Sequence, residues 1–305
     1  MSMRVTQGML NNQLLRNMNS NLTRMQNGQN QLSTGRRINA PSDDPVGMSF
    51  SLRYRSELSA NEQFDSNLDS AISLMDYTDT MMGQANSVIQ RARELAVQGA
   101  NGTNPQEARE TIKSEIDQLY SQMVSIANSQ FNGRYIFNGQ ITDKKPYDEA
   151  TAQFDKVDSG DVVFDIGVGV RMSVNKTGDD VFGTADDPNS PGTNDNIFRV
   201  LKDLSAALLP TGTSTDVSNI LGRLDACNDR FLAARADVGA KMNRLELAES
   251  RLADLGTNLQ TLQSKTEDAD IAEVITNLKM DENVYQASLS VGAKLISASL
   301  IDFLR

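Results

Sequence analysis

The sequence predicts a mostly α-helical protein with a β insert. Both termini together form a long antiparallel helical bundle or coiled coil, and a small β-rich domain sits at its tip. Three observations carry this. The seven prolines stand at 41, 45, 105, 146, 188, 191 and 210, so the first 40 and the last 95 residues hold none; proline breaks helix interiors, and both ends are free to be long helices. Apolar residues at both ends recur at steps of three and four, the signature of an amphipathic helix with a narrow seam. Only a central stretch, near 132–196, departs from that period. There valines alternate with polar residues and Gly, Asp, Asn and Pro cluster.

The first helix is predicted over about residues 5–33, with Leu10, Leu14, Met18, Leu22, Met25 and Leu32 along its seam. Gly35 is its C-terminal cap. A connector from Arg36 to Asp44 follows, and Asp44 before Pro45 is an N-cap and first-turn pair for a second helix over about 45–100. Its stripe is Leu68, Ala71, Met75, Met82, Ala85, Ile89, Ala92 and Ala96, with many small residues that let helices approach closely. Asn104 is expected to cap a third helix, with Pro105 at its first position and a stripe of Ala108, Ile112, Ile116, Leu119, Met123 and Ile126.

The segment 134–139 reads as a strand closing on a turn, 161–174 as strands, and 177–196 as a loop. Helices return at about 196–209 and from 215 to about 264. The second carries Ile220, Leu224, Cys227, Phe231, Ala234 and Val238, then Leu245, Ala248, Leu252, Leu255, Leu259 and Leu262. Asp270 is the N-cap of a last helix to Leu304, whose stripe is Ile271, Ile275, Leu278, Tyr285, Leu289 and Ile296, followed by Leu300. Neither terminal seam can be buried by its own helix. The two ends are therefore expected to pair, and the remaining apolar surface to face neighbouring copies.

Composition narrows the chemistry. The net charge is −11, which argues against binding a phosphate backbone and so against a nucleic-acid partner. There is no histidine, so neutral-pH proton shuttling and most zinc sites become unfavourable readings. Cys227 is alone and reads as a buried structural thiol rather than a nucleophile. No run approaches the ~18 apolar residues of a membrane span, and residues 1–23 have no signal-peptide core. Gly167-Val168-Gly169 lacks the third glycine and the following helix of a dinucleotide fingerprint, and reads as glycines bending a strand. The acidic loop with Asp179, Asp180, Asp186, Asp187, Asn189, Asn194 and Asp195 matches no EF-hand spacing; it is a solvated loop, or else a weak Ca²⁺ site. Arg36 and Arg37 are expected to pair with Asp43, Asp44 or a neighbouring subunit. No cofactor, metal or catalytic set is expected.

Several segments resemble one family. Gln31 to Pro45, containing Arg36, Arg37, Ile38, Asn39, Pro41, Asp43, Asp44 and Pro45, is similar to the N-terminal signature of bacterial flagellins and their relatives. Residues 234–246, 285–289 and 300–304 resemble the matching C-terminal signature. Within the family, 8–15, 91–103 and 132–139 are most like the branch that joins the flagellar hook to the filament. The likeness covers roughly 1–145 and 197–305.

The resemblance implies a structural adaptor subunit, not an enzyme. Its partners would be the first junction protein on the hook, flagellin, copies of itself in a ring, and an export chaperone on the C-terminal helix. It implies secretion through the flagellar type III apparatus to the hook–filament junction, without nucleic-acid or membrane partners. The implied domains are 1–44 with 265–305 as the inner assembly core, 45–132 with 196–264 as a helical rod, and 133–195 as a β-rich outer domain. Leu10, Leu14, Met18, Leu22, Met25, Leu32, Ile275, Leu278, Tyr285, Leu289, Ile296 and Leu300 are the expected assembly interface. The alternatives are the filament subunit itself or, from another class, a Ca²⁺-dependent adhesin or hydrolase using the acidic loop.

Overall fold

The computed structural model describes residues 7–101, 104–188, 195–210 and 212–303, with the side chains of Gln7, Leu10 and 294–303 outside that description. Among the described residues, seven helices and four short strands follow in the order α1 (Gln7–Thr34), α2 (Pro45–Gly99), α3 (Gln106–Ala127), β1 (Gln130–Phe131), β2 (Arg134–Tyr135), β3 (Val163–Gly167), β4 (Val170–Ser173), α4 (Gly178–Phe182), α5 (Ile197–Ala207), α6 (Ser214–Glu267) and α7 (Ile271–Phe303). The chain divides into two compact units. One comprises 1–60 and 255–305, the other 61–254.

In the unit 61–254, every residue of the predicted α2 stripe is buried, from Leu68 through Ala96. Ile112, Ile116, Met123 and Ile126 of α3 and Ile220, Leu224, Cys227, Phe231, Ala234 and Val238 of α6 join the same core. Steps of three and four thus put the α2 and α6 stripes on inward faces, as helical geometry requires. Alanines on α2 at 71, 85, 92 and 96 are fully or almost fully buried. Phe137, Tyr147, Phe182 and Phe198 form an aromatic cluster in which Phe182 meets Phe137 and Tyr147 edge to face and Phe198 packs tilted against Tyr147 and Phe182, with the Phe137 and Phe182 rings 5.1 Å apart.

The β insert is less regular than expected. Of 134–139 only Arg134–Tyr135 is strand, paired antiparallel with Gln130–Phe131, which the sequence reading had not separated from the helix end. The turn between them is Asn132 (φ 50°) and Gly133 (φ 76°); two left-handed residues are what a tight type I′ hairpin requires, and Asn-Gly supplies them. Ile136 N still donates to Ser129 O at 3.3 Å, and beyond it the backbone leaves the ladder. The Phe137 carbonyl accepts from Gly178 N at 2.7 Å instead, because Ile136, Phe137 and Asn138 are buried in the core.

The 161–174 segment is a hairpin, β3 against β4, with a register shift between Asp165 and Gly167. Gly167 and Gly169 therefore turn a hairpin rather than bend one strand. The loop expected at 177–196 contains α4, started by a capping box in which Thr177 and Asp180 satisfy each other's backbone amides. The N-cap of α3 is Pro105, without a side-chain cap; Asn104 instead donates to Gln98 O at 2.6 Å. Cys227 is buried as expected, and burial pushes its thiol pKa up.

Candidate assembly surface and connector clasp

The unit of 1–60 and 255–305 holds nearly every residue singled out as functional. In it α1 packs against α7. Two close approaches give the register: a Cβ on Gly28 would lie 3.5 Å from Leu278 Cδ1, and one on Gly292 would lie 3.0 Å from Leu14 Cδ2. The helices are thus antiparallel. Along α1 the inward-facing residues are Leu14, Met18, Asn21, Met25, Gly28 and Leu32; along α7 they are Val274, Leu278, Asp281, Tyr285, Ser288 and Gly292. Both sets step by four and three alternately, the period of a coiled-coil seam.

The expected interface residues sort into two classes. Leu14, Met18, Leu22, Met25, Leu32, Leu278 and Tyr285 are half-buried along the intrachain pair. Ile275 and Leu289 are 46% and 45% exposed, turned away from it. Leu10, Ile296 and Leu300 have side chains outside the described residues. Further exposed apolar residues extend the outer surface of α7: Ile271, Met280, Val284 and Val291. On α6, Leu259 is buried while Leu255 and Leu262 of the same predicted stripe are exposed. The seam residues Asn21, Gly28, Asp281, Ser288 and Gly292 were missed because the stripe was read from large apolar side chains alone. The strict heptad through Leu14, Met18 and Met25 would have located Asn21 and Gly28.

The connector between α1 and α2 is built residue by residue from its sequence. Gly35 (φ 70°) closes α1, its amide donating to Gln31 O at 2.8 Å. Pro41 fits the first central position of a β-turn closed by Asp43 N to Ala40 O at 3.0 Å. The Asp43 carboxylate accepts from the amides of Asn39 at 3.0 Å and Ala40 at 2.8 Å, and Asn39 Nδ2 donates to Arg36 O at 3.0 Å. Asp44 caps α2 as expected, accepting from Gly47 N at 2.9 Å, with Pro45 opening the helix. Ile38 is the connector's anchor, 4% exposed. A Cβ on Gly47 would sit 2.6 Å from Ile38 Cδ1 and 2.5 Å from Asp44 Oδ2, so any larger residue would have to displace the connector's anchor and the α2 cap.

This connector is clasped to the turn between α6 and α7. Arg37 N donates to Glu267 O at 2.6 Å and Ala269 N to Gly35 O at 3.0 Å, an antiparallel bridge centred on Arg36 and Asp268. The Glu267 side chain, 2% exposed, accepts from Arg55 Nε at 2.8 Å and Nη2 at 2.6 Å. It also accepts from Ser51 Oγ and from Gln263 Nε2 at 3.3 Å, with Arg36 Nε 3.6 Å away. The hydrogen bonds from Arg55 outweigh burial and hold its pKa at about 2, below the ordinary 4.5.

Arg37 reaches Asp44 at 3.8 Å, as expected, and also donates to Thr266 O at 3.0 Å. Arg36 turns to Glu267 instead of the connector's own acids, and Asp43 serves the backbone rather than either arginine. No local pattern marks the Glu267 hub, whose partners Ser51 and Arg55 lie more than 210 residues away. On α7, Asp270 caps as expected, accepting from Ala272 N at 2.9 Å.

Acidic residues of the predicted loop are taken up by local structure. Asp186 pairs with Arg199, Asp195 with Arg223 at 2.6 Å, and Asp180 completes the α4 cap. Among the described residues no group of three or more His, Cys, Asp or Glu is placed to hold a metal ion, and no helix is long and apolar enough to cross a membrane. Asn189 and Asn194 lie outside the described residues.

Comparison with known proteins places these features. Residues 5–142 match the bacterial flagellin N-terminal helical region and 221–304 the bacterial flagellin C-terminal helical region. The chain is 26% identical over 291 residues to flagellar hook-associated protein 3 of Salmonella typhimurium, covering 90% of this chain and 91% of that one. It is equally, 26%, identical over 291 residues to flagellin of Bacillus subtilis, covering 92% of each. Among solved structures, the flagellar junction protein FlgL from Legionella pneumophila superposes with a TM-score of 0.59 at 17% identity, covering 72% of this chain and all of that one. Bacillus cereus FlgL gives 0.58 at 21% identity, covering 70% and 99%. These likenesses establish a shared fold.

Proposed function

The chain belongs to the bacterial flagellin family, and we propose that within it the chain is a structural adaptor subunit of the flagellum, joining hook to filament. The carrying observation is the outer surface of α7. Ile271, Ile275, Met280, Val284, Leu289 and Val291 are each at least 42% exposed, while the same helix meets α1 through Val274, Leu278, Asp281, Tyr285, Ser288 and Gly292. A helix that keeps its large apolar side chains outside its own pair has them available for contact between subunits. Likeness to hook-associated proteins favours the junction over other flagellar positions.

On this reading, residues 1–44 and 265–305 form the inner shaft part and pack against copies of the chain in a ring. Residues 45–132 with 196–264 form a helical rod, and 133–195 face outward. One end of the ring meets the first junction protein and the other meets flagellin. Shared terminal helices with distinct outer parts give each junction its own neighbours, since specificity is a difference of affinities. Export through the type III apparatus, with a chaperone on α7, belongs to the same proposal: an apolar α7 surface needs covering before assembly.

A strain lacking this gene tests the proposal. Bare hooks, with flagellin monomers released into the medium, are the expected result. The second reading, the filament subunit itself, is less supported and rests on the equal identity to a flagellin. It would give no filament and no other flagellin in the medium. Normal motile filaments would overturn both.

A further inference from the structure

The α1–α7 seam has an unusual middle. Asn21 is 5% exposed in a position where the heptad calls for an apolar residue. Its Oδ1 accepts from Arg24 Nη2, and Arg24 reaches across to Asp281, with Nε at 3.1 Å and Nη2 at 3.0 Å from Oδ1. On either side lies a leucine set against a glycine: Leu278 on Gly28, and Leu14 on Gly292. Stepping along this antiparallel register brings Asn21 to the level of Tyr285, Met25 to that of Asp281, and Met18 to that of Ser288.

We propose that Asn21, Arg24 and Asp281 are the specificity-determining residues of this helix pair, fixing its register at a cost in stability. The physical reason is asymmetry of alternatives. A slip of one heptad moves one helix along the other by about 10 Å. In an apolar seam each leucine or methionine then finds another apolar partner, and little is lost. With the polar step present, a slip leaves Asn21 in the seam without Arg24 held by Asp281, and Asp281, already level with apolar Met25 in the native register, loses its arginine. A buried polar residue at one seam position is known to specify register in this way. The two leucine–glycine contacts sharpen the choice against a slip in the opposite sense, which sets Leu278 level with Asn21 and Leu14 level with Tyr285; in the slip that sets Met25 level with Ser288, Leu278 comes level with Gly35 and the polar step carries the discrimination.

The clasp at Glu267 also constrains the pair from one end, so the test must separate the two. The reporter is disulfide formation in the full-length chain under mild oxidation, mapped by mass spectrometry so that bridges to buried Cys227 are recognised. Ser288→Cys is combined with Met18→Cys to report the native register, and with Met25→Cys to report a slip of one heptad. Both combinations are placed in two backgrounds: the natural polar step, and Asn21→Leu with Asp281→Leu. Hydrogen exchange over 14–32 measures how firmly the pair holds in each.

With the natural step, only the Met18→Cys pair should bridge. In the leucine background the slipped pair should gain at least roughly tenfold in yield, while exchange over 14–32 slows. A slipped pair that stays at its background yield in the leucine variant would mean that the clasp alone sets the register, and would overturn the proposal. Faster exchange in that variant would overturn it too, since the polar step would then be stabilising. The step acts within one chain, so neither outcome depends on where the chain works in the flagellum.

Discussion

Replacing Glu267 by glutamine removes one charge from the clasp and leaves its shape. The buried carboxylate is held by Arg55, Ser51 and Gln263, and its pKa falls from 4.5 to about 2. At 1.36 kcal/mol per pKa unit this depression corresponds to about 3 kcal/mol of folding free energy. Arg55 is 39% exposed, so solvent screening reduces the expected cost of Glu267→Gln to roughly 2–3 kcal/mol at pH 7. The sign follows from a folded pKa below the unfolded one: the stabilisation is complete above about pH 4.5 and is lost as pH falls toward 2.

The assay is hydrogen exchange at the amides of Arg37 and Ala269, which bond across the clasp to Glu267 O and Gly35 O. At pH 7 the glutamine variant should lose roughly 30- to 150-fold in protection at both. The gap to wild type should fall to less than half its free-energy value by pH 3. A loss below about threefold at pH 7, or a gap that does not narrow in acid, would refute the view that the charge holds the clasp.

Other consequences follow from single positions. Gly47→Ala brings a Cβ within 2.6 Å of Ile38 and 2.5 Å of Asp44, and should destabilise the unit of 1–60 and 255–305 by about 1–3 kcal/mol in urea titrations. Leu289→Asp, on the exposed side of α7, should abolish filament attachment in motility assays while leaving the circular dichroism of the purified chain unchanged; motile cells would count against an assembly role for that surface. The Cys227 thiol, buried and with its pKa raised, should resist a thiol reagent in the native chain and react at once in urea. Hydrogen exchange in the free chain should be faster in α1 and α7, whose seam residues are mostly only half-buried, than in the fully buried stripe of α2; equal protection would mean that the terminal pair needs no assembly partner.

What could be read in advance depended on whether a feature is local. The α2 stripe from Leu68 to Ala96 and the α6 stripe from Ile220 to Val238 were legible, because helical period and large apolar side chains coincide there. Asp44, Pro45, Gly35 and Asp270 were legible for the same reason: a cap acts within three residues of itself. The strand expected at 134–139 ended at Tyr135, with one further cross-hairpin bond from Ile136, since Phe137 turns into the aromatic core and its carbonyl accepts from Gly178 instead. The capping box of Thr177 and Asp180 was present in the sequence but masked by a run of acids that read as a loop. The Glu267 hub joins residues more than 210 positions apart, and nothing in either neighbourhood marks the pairing.

The terminal helices invert the usual economy of a helix pair. A pair built only for its own stability would put Ile275, Leu289 and Val291 inward and leave Asn21, Ser288 and Asp281 to solvent. Here Asn21, Gly28, Asp281, Ser288 and Gly292 share the seam with Leu14, Met18, Met25 and Leu278, while further large apolar side chains stand outside it. The intrachain pair is thereby made specific but weak, and the apolar area that would have strengthened it remains for other contacts. Such a division suits a subunit that must keep one internal register while its final stability comes from neighbours. Because the same helix serves both purposes, a substitution that strengthens the seam and one that blunts the outer surface should have opposite effects on the free chain and similar effects on assembly.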